Sequence, residues 1–147
     1  MFFLAIFAFI LIIVLLQIWG SKDRAAKLIP SPLSMSSRDK EEFRQRWSEI
    51  KKLAQLPGES RSTQALLKAD QLLDFVLSKK GLNEGSLGEK LKQAQKFFRQ
   101  RENYQRAWDV HKLRNTVVHQ ADFVLTKAAL RGALQDLEAV WQDLDLF

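Results

Sequence analysis

Cysteine is absent from this chain of 147 residues, and histidine occurs only twice. A chain without cysteine has no disulfide, no thiol nucleophile and no thiolate ligand for a metal ion. The few glycines do not form a phosphate-binding loop, and no serine stands in the glycine-flanked turn typical of hydrolases. The commonest sequence signatures of nucleophilic and metal-dependent enzymes are therefore missing.

Charged side chains are missing from the first 19 residues, whose only strongly polar member is Gln17. A helix needs about 20 apolar residues to cross a hydrocarbon core of roughly 30 Å, so this stretch suffices for one span. A cleavable signal peptide is the competing interpretation. It would need a positive region before the apolar run and a small-residue cleavage site after it, and neither is present. We therefore predict a permanent transmembrane anchor over residues 1–19, which would contact the lipid bilayer.

The flanks of this predicted span differ in charge. Lys22, Arg24 and Lys27 follow it, and no basic side chain precedes it. Because cytoplasmic flanks carry the excess of Lys and Arg, we expect a single-pass cell-membrane protein with its N-terminus outside and its C-terminal domain cytoplasmic. The absence of cysteine agrees with a reducing compartment. Prolines and serines make residues 20–37 a linker, and residues 38–147 have the size of a single domain.

Apolar residues after the linker recur with the 3.6-residue period of a helix, and no segment alternates like a strand. Predicted helix starts are Ser36, Ser62 or a near neighbour, Ser86 and Thr126, and a further helix is predicted over residues 102–118. Short connections between about five helices favour an antiparallel bundle. The predicted fold class is therefore all-α, an N-terminal transmembrane helix followed by an antiparallel bundle. Three tryptophans are predicted to anchor the core: Trp47, Trp108 and Trp141.

Potentially reactive side chains concentrate near the end of the fourth predicted helix. His111, Asn115 and His119 are spaced i, i+4, i+8 and share one stripe, with Arg114 on an adjacent row. An imidazole transfers protons near neutral pH, and a guanidinium binds phosphate oxygens as a planar fork. A zinc site is not predicted, because Asp122 is the only carboxylate close downstream. We expect no metal and no cofactor.

This segment resembles the signature of HEPN domains, small all-α bundles with the motif R-x4–6-H on a late helix and Asn, Asp or His favoured after the Arg. Arg114, Asn115 and His119 match that pattern at its shortest spacing. The resemblance covers about residues 40–147, and the layout also resembles bacterial membrane proteins with a single N-terminal span. It implies metal-independent RNA cleavage by a homodimer. His119 would then be the acid/base, Arg114 the phosphate clamp and Asn115 the orienting amide.

Basic residues gather in the segment before this helix. They are Lys90, Lys92, Lys96, Arg99 and Arg101, in a chain whose formal net charge is +6. Such a cluster attracts RNA or the anionic inner leaflet of a membrane. A solvated helix face explains it equally well. We therefore expect RNA or lipid contact here, with the solvated face as the alternative.

A second interpretation is a catalytically silent module that dimerises, or docks a cytoplasmic protein, at the inner membrane face. Arg114 would then pair with an acid such as Asp122 or one from a neighbouring helix, and His119 would stabilise the negative end of its helix. Many active HEPN domains carry tyrosine two residues after the His, where this chain has Ala121. A third interpretation is an adaptor for anionic lipid, whose binding would not depend on His119.

Overall fold

Five α-helices and one short 3-10 helix make up residues 34–147, the part of the chain that this computed structural model describes. No residue in this range belongs to a β-strand, which confirms the all-α prediction for the domain. Helix α2 contacts all four other α-helices, so it lies at the centre of the bundle. The elements are α1 (Ser37–Gln55), α2 (Glu59–Lys79), α3 (Leu87–Ala94), the 3-10 helix Gln95–Phe97, α4 (Arg101–His119) and α5 (Lys127–Asp143).

The predicted membrane anchor and most of the predicted linker lie outside the described residues. Among the helices of residues 34–147, none combines the length and the apolar character that a membrane crossing requires. Residues 35–147 form one compact unit with a continuous core. The anchor over residues 1–19 stays a prediction.

Hydroxyl side chains cap the first and last helices as the sequence predicted. The backbone N–H of Asp39 donates to Ser36 Oγ at 3.1 Å at the start of α1. The backbone N–H of Ala129 donates to Thr126 Oγ1 at 3.1 Å at the start of α5. Each cap satisfies one of the amide groups that a helix start leaves without an intrahelical acceptor.

A complete capping box begins α3. The Ser86 backbone N–H donates to Glu89 Oε2 at 2.7 Å, and the Glu89 backbone N–H donates back to Ser86 Oγ at 3.4 Å. The bond from the Ser86 amide holds the pKa of the Glu89 carboxyl below its ordinary value. The predicted start of this helix is therefore confirmed, and its position matters because α3 borders the candidate site described below.

One predicted boundary is made more precise and another is wrong. Helix α2, predicted to begin at Ser62 or a near neighbour, begins three residues earlier at Glu59, because Gly58 turns the chain with φ +106° and the helix continues directly from it. Ser62 is buried inside α2, where its hydroxyl donates to the Gly58 carbonyl at 3.4 Å. Helix α3 ends at Ala94, before the apolar row of the predicted helix reaches Phe98.

An aromatic cluster forms the centre of the core between α1 and α5. The Trp141 ring lies edge-on to Phe43 at 5.2 Å and to Trp47 at 5.8 Å, measured between centroids. All three are buried, which confirms Trp47 and Trp141 as core anchors. Trp108 differs, because it is half-buried and packs at the border of the core. Its ring instead approaches His111 at 6.1 Å, beside the candidate site.

The cap of α5 offers a test with two threonine-to-alanine changes. Thr126→Ala removes the hydroxyl that accepts from Ala129, so we expect the free energy of unfolding to fall by about 1 kcal/mol. Thr116→Ala is the control. The Thr116 hydroxyl only donates to the Lys112 carbonyl inside α4, and alanine favours a helix interior, so little or no loss is expected. Urea denaturation measures both, and equal losses would contradict this role of the cap.

Candidate functional site

Four polar side chains from α2 and α4 form a closed cycle of contacts, which we call the polar ring. Asp70 Oδ1 lies 2.9 Å from His111 Nδ1, and Asp70 Oδ2 lies 3.4 Å from Arg114 Nε. Arg114 Nη1 donates to Asn115 Oδ1 at 3.0 Å. Asn115 Nδ2 lies 3.3 Å from His111 Nε2, which closes the ring. The structure therefore brings together His111, Arg114 and Asn115, and adds one residue that the sequence did not single out.

That residue is Asp70, a carboxylate in the apolar face of α2. Its side chain is only 7% exposed, between the buried neighbours Leu66, Ala69 and Leu73 along the helix. A carboxylate removed from water requires charged or hydrogen-bonding partners, and His111 and Arg114 supply them. A single acid inside an apolar helical stripe is the sequence signal that could have revealed it.

Helix α3 borders the ring on a further side. A Cβ atom at Gly88 would lie 3.8 Å from His111 Nε2 and 3.9 Å from Trp108 Cη2. The start of α3 therefore lies directly against the imidazole of His111 and the indole of Trp108. The His111 side chain is 14% exposed as a result. Its imidazole is therefore held from α2, α3 and α4 and has one defined orientation.

Arg114 pairs with Asp70, an acid on a neighbouring helix, rather than with Asp122. The silent interpretation had left both kinds of partner open. Arg114 Nε is buried and lacks a hydrogen-bond partner, because the contact with Asp70 Oδ2 is an ion pair without good hydrogen-bond geometry. The Arg114 side chain as a whole is 32% exposed. The guanidinium thus has one edge against the protein interior and another in contact with solvent.

His119 is the last residue of α4 and is exposed. Its imidazole makes no hydrogen bond or ion pair with another residue of the described range, 34–147. At about 100° per residue, His119 is rotated about 140° around the helix from Arg114. Within one copy of the chain, the two residues that define the motif consequently lie on different sides of α4.

The basic segment divides into buried and exposed members. Lys90 is buried, and its Nζ donates to Asp74 Oδ1 at 2.8 Å and to Ser78 Oγ at 2.9 Å, so it does not belong to an exposed basic surface. Arg99 is exposed but forms an ion pair with Asp145. The basic residues left exposed without an ion pair to another described residue are Lys92, Lys96 and Arg101.

No group of three or more His, Asp or Glu side chains suited to a metal ion occurs within residues 34–147. Comparisons of the chain with known protein families, curated proteins and solved structures find no match. The resemblance to HEPN domains therefore depends on the motif in α4 and on its helical surroundings, and it stays a prediction. Fold and site together define an all-α domain in which the buried carboxylate of Asp70 lies against Arg114, and Arg114 donates a hydrogen bond to Asn115.

Proposed function

We propose that this chain is a membrane-anchored, HEPN-like endoribonuclease that acts as a homodimer at the inner membrane face and requires no metal ion. The observation that carries the proposal is the state of His119, which is exposed and has no hydrogen-bond partner among residues 34–147. The helix end therefore presents a histidine that has no hydrogen bond or ion pair within residues 34–147, about one turn after Asn115. Such an imidazole is available for proton transfer near neutral pH.

A second copy of the chain is needed to complete the site. Cleavage by an internal nucleophile requires one group that removes a proton and another that donates one. Within one copy, His119 and Arg114 lie on different sides of α4, and His111 is held inside the polar ring. Pairing of two α4 ends would supply two His119 imidazoles. Confinement of both copies to a membrane would favour this pairing by raising their local concentration.

The proposed reaction breaks the bond between phosphorus and the 5′-oxygen of the next nucleotide. One His119 accepts the proton of the ribose 2′-hydroxyl, whose oxygen attacks phosphorus. His119 of the second copy donates a proton to the departing 5′-oxygen. Arg114 stabilises the charge on the phosphoryl oxygens, and Asn115 holds Arg114 through the 3.0 Å bond to its Nη1. The products are a 2′,3′-cyclic phosphate and a 5′-hydroxyl.

Exposed cations near α4 would attract the RNA backbone. Lys92, Lys96 and Arg101 are exposed and form no ion pair within 4.0 Å with a carboxylate of residues 34–147, unlike Lys90 and Arg99. Backbone recognition by such groups releases counterions, so we expect cleavage at low RNA concentration to weaken with increasing salt. The same residues would also favour an anionic membrane surface, and competition by vesicles containing anionic lipid measures that contribution.

The direct test uses the full chain in detergent micelles with end-labelled single-stranded RNA and excess EDTA. We expect cleavage to leave 2′,3′-cyclic phosphate ends and to be unaffected by the chelator. Absence of cleavage across RNAs of varied sequence, with the protein folded and dimeric, would refute the ribonuclease proposal.

A second candidate function is a dimer without catalysis, which presents the α4 end to itself or to a cytoplasmic protein. Two observations favour it. Asp70 neutralises the charge of Arg114 in the resting structure, which weakens it as a phosphate ligand. Val118 and Val124 are 48% and 60% exposed on either side of His119, and a contact that buried them would remove apolar surface from water. We take the second copy of the chain as the partner in both candidates.

Val118→Asp tests this dimer contact. A charge placed in an apolar contact loses burial and costs desolvation, so we expect the dimer dissociation constant to rise at least about tenfold. Leu56→Asp is the matched control, because Leu56 is 45% exposed but lies after α1, outside the segment that carries the motif. Analytical ultracentrifugation in detergent measures both. Equal dissociation constants for the two variants, or a monomeric parent chain, would contradict the proposed interface.

A further inference from the structure

We infer that Asp70 and His111 are positioning residues that determine, through the polar ring, the direction in which the Arg114 guanidinium points. The inference rests on the proposed function, in which Arg114 binds a phosphate group of the RNA. The ring itself is a property of residues on α2 and α4 and can be measured without RNA. Each contact of the polar ring determines the next one, starting from the buried carboxylate of Asp70.

Asp70 determines which nitrogen of His111 carries the proton. An ionised carboxylate only accepts hydrogen bonds, so the nitrogen 2.9 Å from Asp70 Oδ1 must be a protonated Nδ1. The neutral imidazole has one N–H group, and Nε2 is then left as an acceptor. One of the two tautomers of His111 is consequently selected by a residue on a different helix.

The tautomer of His111 in turn determines the orientation of the Asn115 amide. Nε2 as an acceptor requires a donor opposite it, and Asn115 Nδ2 lies there at 3.3 Å. The amide oxygen must then face the other way, where Arg114 Nη1 donates to it at 3.0 Å. With the other tautomer, Nε2–H would favour the amide oxygen on its own side and turn the NH2 group towards the guanidinium.

Two nitrogens of the Arg114 guanidinium are thus held by oxygen atoms, and both contacts depend on Asp70. The carboxylate attracts Nε directly at 3.4 Å and holds Nη1 indirectly through His111 and Asn115. Nη2 has no partner among residues 34–147, and the side chain is 32% exposed. The ring leaves this nitrogen as the group directed to a phosphate oxygen. Pre-orientation of this kind decides how well a cation stabilises developing charge.

The test is nitrogen NMR of the full chain in detergent micelles, with ¹⁵N-labelled histidine. The chain has only two histidines, so both imidazoles are resolved, and the exposed His119 serves as an internal reference. At a pH where both rings are neutral, we expect the signature of a single Nδ1–H tautomer for His111. We expect the averaged signature of interconverting tautomers for His119. An averaged signature for His111, or a fixed Nε2–H tautomer, would overturn the inference without any variant.

Two matched substitutions on α2 extend the test. Asp70→Asn places an amide opposite Nδ1, and an amide offers both a donor and an acceptor, so the fixed tautomer of His111 should be lost. Asp74→Asn is the control, because it lies one turn further along α2 and removes the negative charge that pairs with Lys90, while Asp74 has no contact with the polar ring. We expect the control to keep the tautomer. A fixed tautomer in both variants would contradict the role of Asp70.

A kinetic readout separates this inference from the proposed function. If Asp70 positions Arg114 for catalysis, Asp70→Asn should lower kcat for RNA cleavage about a hundredfold, the loss expected from misplacing a catalytic group. Asp74→Asn should leave kcat unchanged. A fixed His111 tautomer without RNA cleavage would refute the ribonuclease proposal, and the inferred order of contacts in the polar ring would still hold. Cleavage with equal kcat in both variants would refute the positioning role and keep the ribonuclease.

Discussion

Replacement of His119 by alanine should abolish RNA cleavage and leave the free energy of unfolding unchanged. The loss should be about a hundredfold to ten-thousandfold, the contribution typical of a group that transfers a proton in the transition state. The fold should not change, because the imidazole is exposed and has no hydrogen-bond partner within residues 34–147. This combination is what distinguishes a catalytic residue from a structural one.

Single-turnover cleavage and urea denaturation of the same preparations measure the two effects. Gln120→Ala is the control, because Gln120 is also exposed and follows His119 directly. The control should cleave RNA like the parent chain. Full activity of His119→Ala would remove His119 from the mechanism, and a large loss of stability would show a structural role that its exposure does not explain.

Arg114→Ala is a less informative change than its place in the motif suggests. Its removal takes a positive charge away from Asp70, a carboxylate whose side chain is only 7% exposed. A buried charge that loses its partner destabilises the fold. Lost activity in this variant would therefore mix a missing phosphate ligand with a disturbed domain. The structure identifies His119 as the cleaner target.

Trp141→Ala should lower the free energy of unfolding by about 4 kcal/mol, within the range for aromatic-to-alanine changes in protein cores. Trp141 is fully buried and touches both Phe43 and Trp47 edge-on, so its removal leaves a cavity between α1 and α5. Domains of this size are stable by only about 5–15 kcal/mol, so the loss should move the unfolding midpoint to a clearly lower denaturant concentration.

Trp108→Ala is the matched control for this change. Trp108 is half-buried at the border of the core, so the expected loss is about 1–2 kcal/mol. Guanidinium denaturation followed by circular dichroism measures both variants. Equal losses would mean that Trp108 anchors the core as strongly as Trp141, as the sequence had suggested and its exposure contradicts.

Much of the fold follows from local sequence. The caps at Ser36, Ser86 and Thr126 and the apolar rows of the helices were all predicted, because both depend on residues only a few positions apart. The start of α2 was less precisely predicted, because Gly58 can either end one helix or begin the next. Here Gly58 is the N-cap of α2, whose first residue, Glu59, lies three positions before Ser62.

The contacts of the candidate site could be predicted from spacing along the chain only where they lie within one helix. Spacing on one helix predicted that His111 and Asn115 share a stripe, and the 3.3 Å contact between their side chains confirms it. Spacing could not identify which acid lies beside Arg114, only that it comes from nearby in sequence or from a neighbouring helix. Asp122 is near in sequence, but the carboxylate in contact is Asp70, on another helix. Likewise, composition could not show that Lys90 is buried against Asp74.

The sequence by itself determined the all-α class, the helix caps and the group of polar residues on α4, because a helix places residues i and i+4 side by side whatever surrounds it. Only the tertiary structure decided which residues of α4 face the interior. Packing of α4 against α2 buries Asp70, and this carboxylate pairs with His111 and Arg114, whereas His119, at the end of α4, is in solvent. A desolvated charge must be compensated by whichever partners the fold brings within reach, and their distance along the chain has no influence on that requirement.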